Sequence, residues 1–239
     1  MHEEAETTAP VFLQHTTGTG KNKMSWFTQA VSSSLGKKYI MAVTGFMLGG
    51  FLLVHAAGNS SIFWGRHAFI AYAEHLHALG PLIPIAEIIL LTIFLVHAAT
   101  GILLFLQNLL AREDRYEVNK PAGGRTWGSR TMPYTGAAVL VFILLHLFNV
   151  RFTDQSVPVA DTVGAILTNP LYTLLYGLGI GALCLHISHG FWSLFQTMGI
   201  NHPRYDAFIR GTAFLVCGLI IAVFAVLLLL LLVKSGQLA

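Results

Sequence analysis

Five long apolar runs alternate with polar stretches along the 239-residue chain. They fall near 38–58, 83–108, 133–151, 170–197 and 208–233, and each is long enough to cross a bilayer as a helix. The fourth run is the most informative. From Pro170 to Gln196 it holds no Asp, Glu, Lys or Arg, yet His186 and His189 sit deep inside it. An ionisable side chain at that depth is costly, and it normally faces a bundle interior where it has a task.

The intervening stretches are read as follows. Residues 1–31 form a polar N-terminal segment, and residues 32–239 one transmembrane unit. Residues 1–24 are Thr- and Gly-rich and are expected to be mobile. Their first nine are acidic and lack an apolar core, unlike a cleaved signal peptide. Ser25 to Lys38 reads as a short amphipathic lead-in with Trp26 and Phe27 at the interface. Residues 59–82, rich in His and aromatic residues, read as a short helix on the membrane surface. Residues 152–168 are mostly polar without a clear motif. The fifth run has no histidine and is expected to face lipid.

Composition agrees: 54% of residues are hydrophobic and 10% charged, which excludes an ordinary soluble domain. The placement of charge matters more than its sum of +3. Eleven of the 14 Lys and Arg residues lie in the N-terminal region and the second and fourth loops; only Arg66, Arg151 and Lys234 lie on the other side. The excess marks the cytoplasmic face, so the N-terminus is expected inside and the C-terminus outside. Cys184 and Cys217 lie apart in apolar runs, which offers no disulfide or iron–sulfur framework, and there is no Cys-x-x-Cys-His for covalent haem. No Gly-rich nucleotide loop follows a strand pattern, so flavin or nucleotide chemistry belongs to another chain.

Each of the first four runs carries a deep histidine: His55, His97, His146, and His186 with His189 as an alternative. His55 and His146 lie roughly 6–8 Å below the outer edge, and His97 and His186 roughly 20–24 Å down. Antiparallel neighbours therefore supply two pairs at two depths. The fold expected is an all-α integral membrane protein whose first four helices form an antiparallel bundle around two stacked haems b. Double histidine ligation leaves no open iron position and favours electron transfer. Gly45, Gly49, Gly101, Gly177, Gly179 and Gly181 give clearance either for a flat macrocycle or for close helix approach. Lys38 and Arg130 mark the inner interface or pair with haem propionates. Glu87, in the first turn of the second helix, is either held by the helix dipole or handles protons.

A quinone needs an apolar slot near a haem edge with a proton route to water. Two haems favour the outer side, because a quinone reduced at the inner face would need no relay across the membrane. The expected site is therefore an outer, menaquinone-type one lined by His77, Glu87, Tyr72 and Glu74, whose His and Glu side chains exchange protons near neutral pH. The inner alternative lies near Ser33, Lys38, Arg130, His189 and Trp192.

The order of these motifs resembles the single-chain, five-helix dihaem cytochrome b subunit of succinate dehydrogenase and fumarate reductase. The resemblance runs from about Ser32 to His202. It rests on Ser33-Ser-Leu-Gly-Lys-Lys38, Leu-Val-His55, Tyr72 with His77-Ala-Leu-Gly-Pro81, Val-His97, Ser129-Arg-Thr-Met132, Leu-His146 and His186-Ile-Ser-His-Gly-Phe-Trp-Ser193. It implies axial ligands at His55, His97, His146 and His186, with His186 preferred over His189. It implies a bacterial cytoplasmic membrane, a flavoprotein subunit, an iron–sulfur subunit, two haems b, and menaquinone or another quinone. Where some fumarate reductases carry an acidic residue two positions before the fourth ligand, this chain has Cys184, which puts transmembrane proton movement in doubt. Two other readings stand beside it: a cytochrome b of a hydrogenase or formate dehydrogenase, whose ligand placement fits less well, and a haem-free transporter or anchor.

Overall fold

A computed structural model describes residues 25–111, 127–200, 202 and 204–236. The expectations for residues 1–24, and for the basic second loop at 112–126, lie outside these residues. All regular structure among the described residues is helical. Eight α-helices follow in order: α1 Trp26–Ser32, α2 Ser34–Ser60, α3 Arg66–His77, α4 Leu82–Leu110, α5 Trp127–His146, α6 Val159–Thr168, α7 Pro170–Thr197 and α8 Asp206–Gly236. A 3₁₀ turn, Ser61–Trp64, follows α2, and a π-helical turn, Leu147–Arg151, extends α5. Five of these helices (α2, α4, α5 with its π turn, α7 and α8) are long and apolar enough to cross a membrane, which makes this a multi-pass membrane protein.

Local chemistry sets the boundaries. The lead-in breaks at Ser33, whose hydroxyl accepts the Gly36 N–H at 3.0 Å and starts α2. Lys37 and Lys38 therefore belong to α2 and not to the lead-in. Asn169 caps α7 by accepting the Leu171 N–H at 3.0 Å, with Pro170 as the first helical residue. Gly65, at φ 104°, turns the chain from the 3₁₀ turn into α3, a conformation that favours glycine. The third membrane helix starts upstream of the expected 133, at Trp127, and carries Pro133 inside it. A proline there removes one hydrogen bond and kinks a helix, but it does not end this one.

Helix α2 packs on α4 and α7, α5 packs on α7, and α8 packs on both α7 and α2. Small glycines set several of these approaches. Gly101 faces the Met41 methyl, Gly177 faces Leu228, and Gly179 lies so close to the Phe142 ring that a Cβ would overlap it. One expectation needs correction. The fifth membrane helix does not face lipid alone: Ala213, Cys217, Ile220 and Leu227, spaced by four, three and seven residues, are buried along one face. Residues 152–168, which carry no clear motif, include the helix Val159–Thr168, which buries Leu167 and packs on α3, α7 and α8. A ten-residue amphipathic helix ending at Asn169-Pro170 is easily hidden in a loop of mixed polarity.

At the end of the molecule that carries α3, Arg66 binds both oxygens of Asp161, at 3.0 and 2.6 Å, and so ties α3 to α6. Hydrogen bonding to the guanidinium holds the Asp161 carboxyl below its ordinary range. A depressed carboxylate contributes its stabilisation above the unfolded pKa, about 3.9, and loses it as pH falls through the folded value. Amide exchange in α3 is therefore expected to quicken below about pH 3.9, and Asp161→Asn should reproduce that at neutral pH. Equal protection in wild type and variant at pH 7 would contradict the tie. Gly179→Ala should push Phe142 off α7 and lower stability by about 1–3 kcal/mol in detergent, read as a fall in Tm; an unchanged Tm would contradict the close packing.

Candidate functional site: two facing histidine pairs

The deep histidines meet across the helices. His55 on α2 faces His146 on α5, with ring centroids 5.9 Å apart and planes at 81°. His97 on α4 faces His186 on α7 at 6.4 Å and 80°. All four rings are half-buried. His189 is half-buried one turn beyond His186, and its ring lies against Gly128 of α5, where a Cβ would overlap it.

The surroundings fix how the rings of the His97 pair are presented. Thr44 Oγ1 donates to the Ile40 carbonyl at 2.6 Å and lies 3.0 Å from His97 Nδ1. Thr135 Oγ1 donates to the Thr131 carbonyl at 3.1 Å and lies 3.4 Å from His186 Nδ1. Beside each threonine a glycine makes room for the same ring. A Cβ on Gly45 would stand 3.2 Å from His97 Cε1, and one on Gly136 3.3 Å from His186 Cε1. The His55 pair sits instead among aromatic rings. Phe51 stacks on His55 at 5.3 Å, Phe224 of α8 approaches His55 at 5.8 Å, and Phe142 and Tyr176 approach His146 at 6.2 and 6.1 Å. Asn59 donates to the His55 carbonyl at 2.8 Å and reaches its Nε2 only at 3.5 Å.

These neighbours expose a repeat that hydropathy alone does not display. Helices α2 and α5 both read Met-x₂-Thr-Gly-x₅-Phe-x₃-His, as Met41, Thr44, Gly45, Phe51, His55 and as Met132, Thr135, Gly136, Phe142, His146. Helices α4 and α7 both read His-x₃-Gly, as His97, Gly101 and as His186, Gly190. The Met41 methyl lies 3.6 Å from the Cβ position of Gly101, and the Met132 methyl 3.3 Å from that of Gly190. Two helix pairs thus present two histidines each in the same local setting.

The donor sets fit a haem. Among the described residues no three His, Cys, Asp or Glu side chains gather, so a bare metal ion has no full set of protein ligands. An iron held equatorially by a porphyrin needs only two axial nitrogens. Two metal–imidazole bonds of about 2 Å, plus the inner half of each ring, give a centroid separation of roughly 6 Å. Both observed separations match.

The other expected residues scatter. Tyr72, Glu74 and His77 are exposed along α3, with the Tyr72 hydroxyl against Gly58 of α2. Glu87 is not in the first turn of α4. Arg151 donates to its two carboxylate oxygens at 2.9 and 3.0 Å, so an ion pair between α4 and the π turn holds it, in place of the helix dipole. Near that π turn a cleft of about 420 Å³ opens between the His146 end of α5 and α6, lined by Phe148, Asn149, Asp154, Asn169 and Tyr172 among others. Asn149 also approaches the Tyr176 hydroxyl at 3.5 Å, which links the cleft to the ring beside His146. At the opposite end Lys38 and Arg130 are exposed, and Lys37 Nζ donates to Gln107 of α4 at 2.9 Å. No family model, curated protein or solved structure matches the chain.

Proposed function

We propose that this chain is the dihaem cytochrome b anchor of a succinate:quinone oxidoreductase, in which a flavoprotein subunit handles succinate or fumarate and an iron–sulfur subunit joins it to this chain. The observation that carries the reading is the two facing histidine pairs, His55 with His146 and His97 with His186, each at a separation that suits one iron. Each haem b, when bound, supplies a one-electron carrier with no open coordination position. The chain's own residues do the rest. His55 with His146 and His97 with His186 would hold the two irons. The apolar helices exclude water and hold the two sites at different depths. The basic surface that holds Lys38 and Arg130 receives the soluble subunits at the cytoplasmic face, and these two side chains are the proposed partners of haem propionates.

The family resemblance supplies the choice of partner and substrate, and the order of the quoted motifs supports it. Menaquinone or another quinone is assigned to the opposite, outer end, where Tyr72, Glu74, His77 and Glu87 lie. The cleft lined by Asn149 and Tyr172 adds an opening to water at that same end. The membrane is the bacterial cytoplasmic one, with the N-terminus inside and the C-terminus outside.

Three measurements test this. His97→Ala and His186→Ala should each remove one haem b from the purified chain, whereas His189→Ala should keep both. Loss of a haem in the His189 variant with retention in the His186 variant would overturn the ligand set. Flavin and iron–sulfur subunits with succinate dehydrogenase activity should co-purify, and their absence beside a haem-loaded chain would leave the haem reading standing and end the succinate reading. With the native cysteines replaced, a thiol probe added from outside should label a cysteine placed in 155–165 but not one in 115–125; the reverse would overturn the orientation.

A further inference from the structure

We propose that Thr44 and Thr135 are positioning residues that fix the tautomer of His97 and His186 and set how strongly these imidazoles donate to the inner metal. The inference rests on the haem reading above and goes beyond it, because it concerns neither the ligands nor the partners.

The argument is one of proton counting. A threonine hydroxyl has one proton and two lone pairs. In α2 that proton goes to the Ile40 carbonyl at 2.6 Å, with the Met41 carbonyl at 3.3 Å, so toward His97 Nδ1, 3.0 Å away, Thr44 acts as an acceptor; the Met41 backbone also hydrogen-bonds the His97 ring. In α5 the Thr135 proton goes to its own helix, where the Thr131 and Met132 carbonyls both lie at 3.1 Å, so toward His186 Nδ1, 3.4 Å away, it accepts as well. Each Nδ1 must then carry hydrogen. A neutral imidazole has one N–H, so each Nε2 is left with a free lone pair, the form a metal requires. The alternative tautomer would place hydrogen on Nε2 and block ligation there. Gly45 and Gly136 complete the setting, because they let each ring lie flush beside its threonine.

Three features argue that the contact has a task. The same Thr-Gly pair occurs at the same spacing from Phe and His on both helices, so one arrangement is used twice. Both hydroxyls are buried, where a polar group without a partner would be costly. The His55 pair has aromatic neighbours in place of hydroxyls, so the two sites differ in a way that can tune them apart. A hydrogen bond accepted from Nδ1–H raises the basicity of the ligand nitrogen and so favours the oxidised metal. Removing the acceptor should shift the potential upward.

The test uses the full chain in detergent, with Thr44→Val and Thr135→Val to delete each hydroxyl at nearly constant shape and Thr44→Ser and Thr135→Ser to keep it. In a redox titration followed at the haem b band, each Val variant should move one of two components to higher potential and leave the other in place. Haem retention at that site should fall about 10-fold, while the Ser variants stay at wild-type values. Where a Val variant loses the haem outright, retention in its Ser counterpart supports the proposal. Val variants with unchanged potentials, or Ser and Val variants that shift or lose haem alike, would overturn it, the latter because packing alone would then be the role. A second readout needs no haem. Nitrogen-15 shifts of the histidines in the haem-free chain should report Nδ1–H at His97 and His186, and the Val variants should lose that preference. A wild-type chain that binds no haem b would end the reading this rests on. The tautomer measurement would still decide the role of the threonines.

Discussion

An imidazole buried in hydrocarbon has to find a partner, and this constraint organises the molecule. Leaving a polar group unpaired there costs on the order of a few kcal/mol, and a charged one costs more. This chain half-buries four such rings within its membrane helices and brings them together in twos, at 5.9 and 6.4 Å. Much else follows from holding those pairs. Small residues bring α2 to α4 and α5 to α7, threonine hydroxyls lie beside the Nδ1 atoms of one pair, and aromatic rings flank the other.

The repeat on α2 and α5 shows how economically this is done. One helix pair, α2 with α4, places a histidine at each of two depths, and α5 with α7 does the same with matching side chains. Met41 seats on Gly101 as Met132 seats on Gly190, which fixes the register of each pair, and the Thr-Gly step receives the histidine of the partner helix. Helix α8 lies outside this scheme yet reaches it: its buried face packs on α2 and α7, and Phe224 comes within 5.8 Å of His55.

The membrane helices were legible in the sequence because hydropathy over about 20 residues is a strong signal, and four of the five expected spans sit within a few residues of the observed helices. The third begins at Trp127, six residues before its expected start near 133, and carries Pro133 inside it. The histidine partners were legible because depth alone pairs residues on antiparallel helices. The glycines were ambiguous in the sequence and divide in the structure: Gly45 clears the His97 ring, while Gly101, Gly177 and Gly179 seat side chains of neighbouring helices. Thr44, Thr135 and Gly136 were not legible from hydropathy, since isolated Thr and Gly are common in membrane helices; only comparison of α2 with α5 brings them out. Nor did the sequence show that Glu87 pairs with Arg151, because that contact joins residues 64 apart.

The most direct test of the central claim is haem content and electron paramagnetic resonance of the oxidised, purified chain. Two haems b per chain are expected, both low-spin with histidine on either side. The near-perpendicular imidazole planes, 81° and 80°, predict highly anisotropic ferric signals. A single haem per chain, a high-spin ferric signal from an open iron position, or no haem at all would contradict the account.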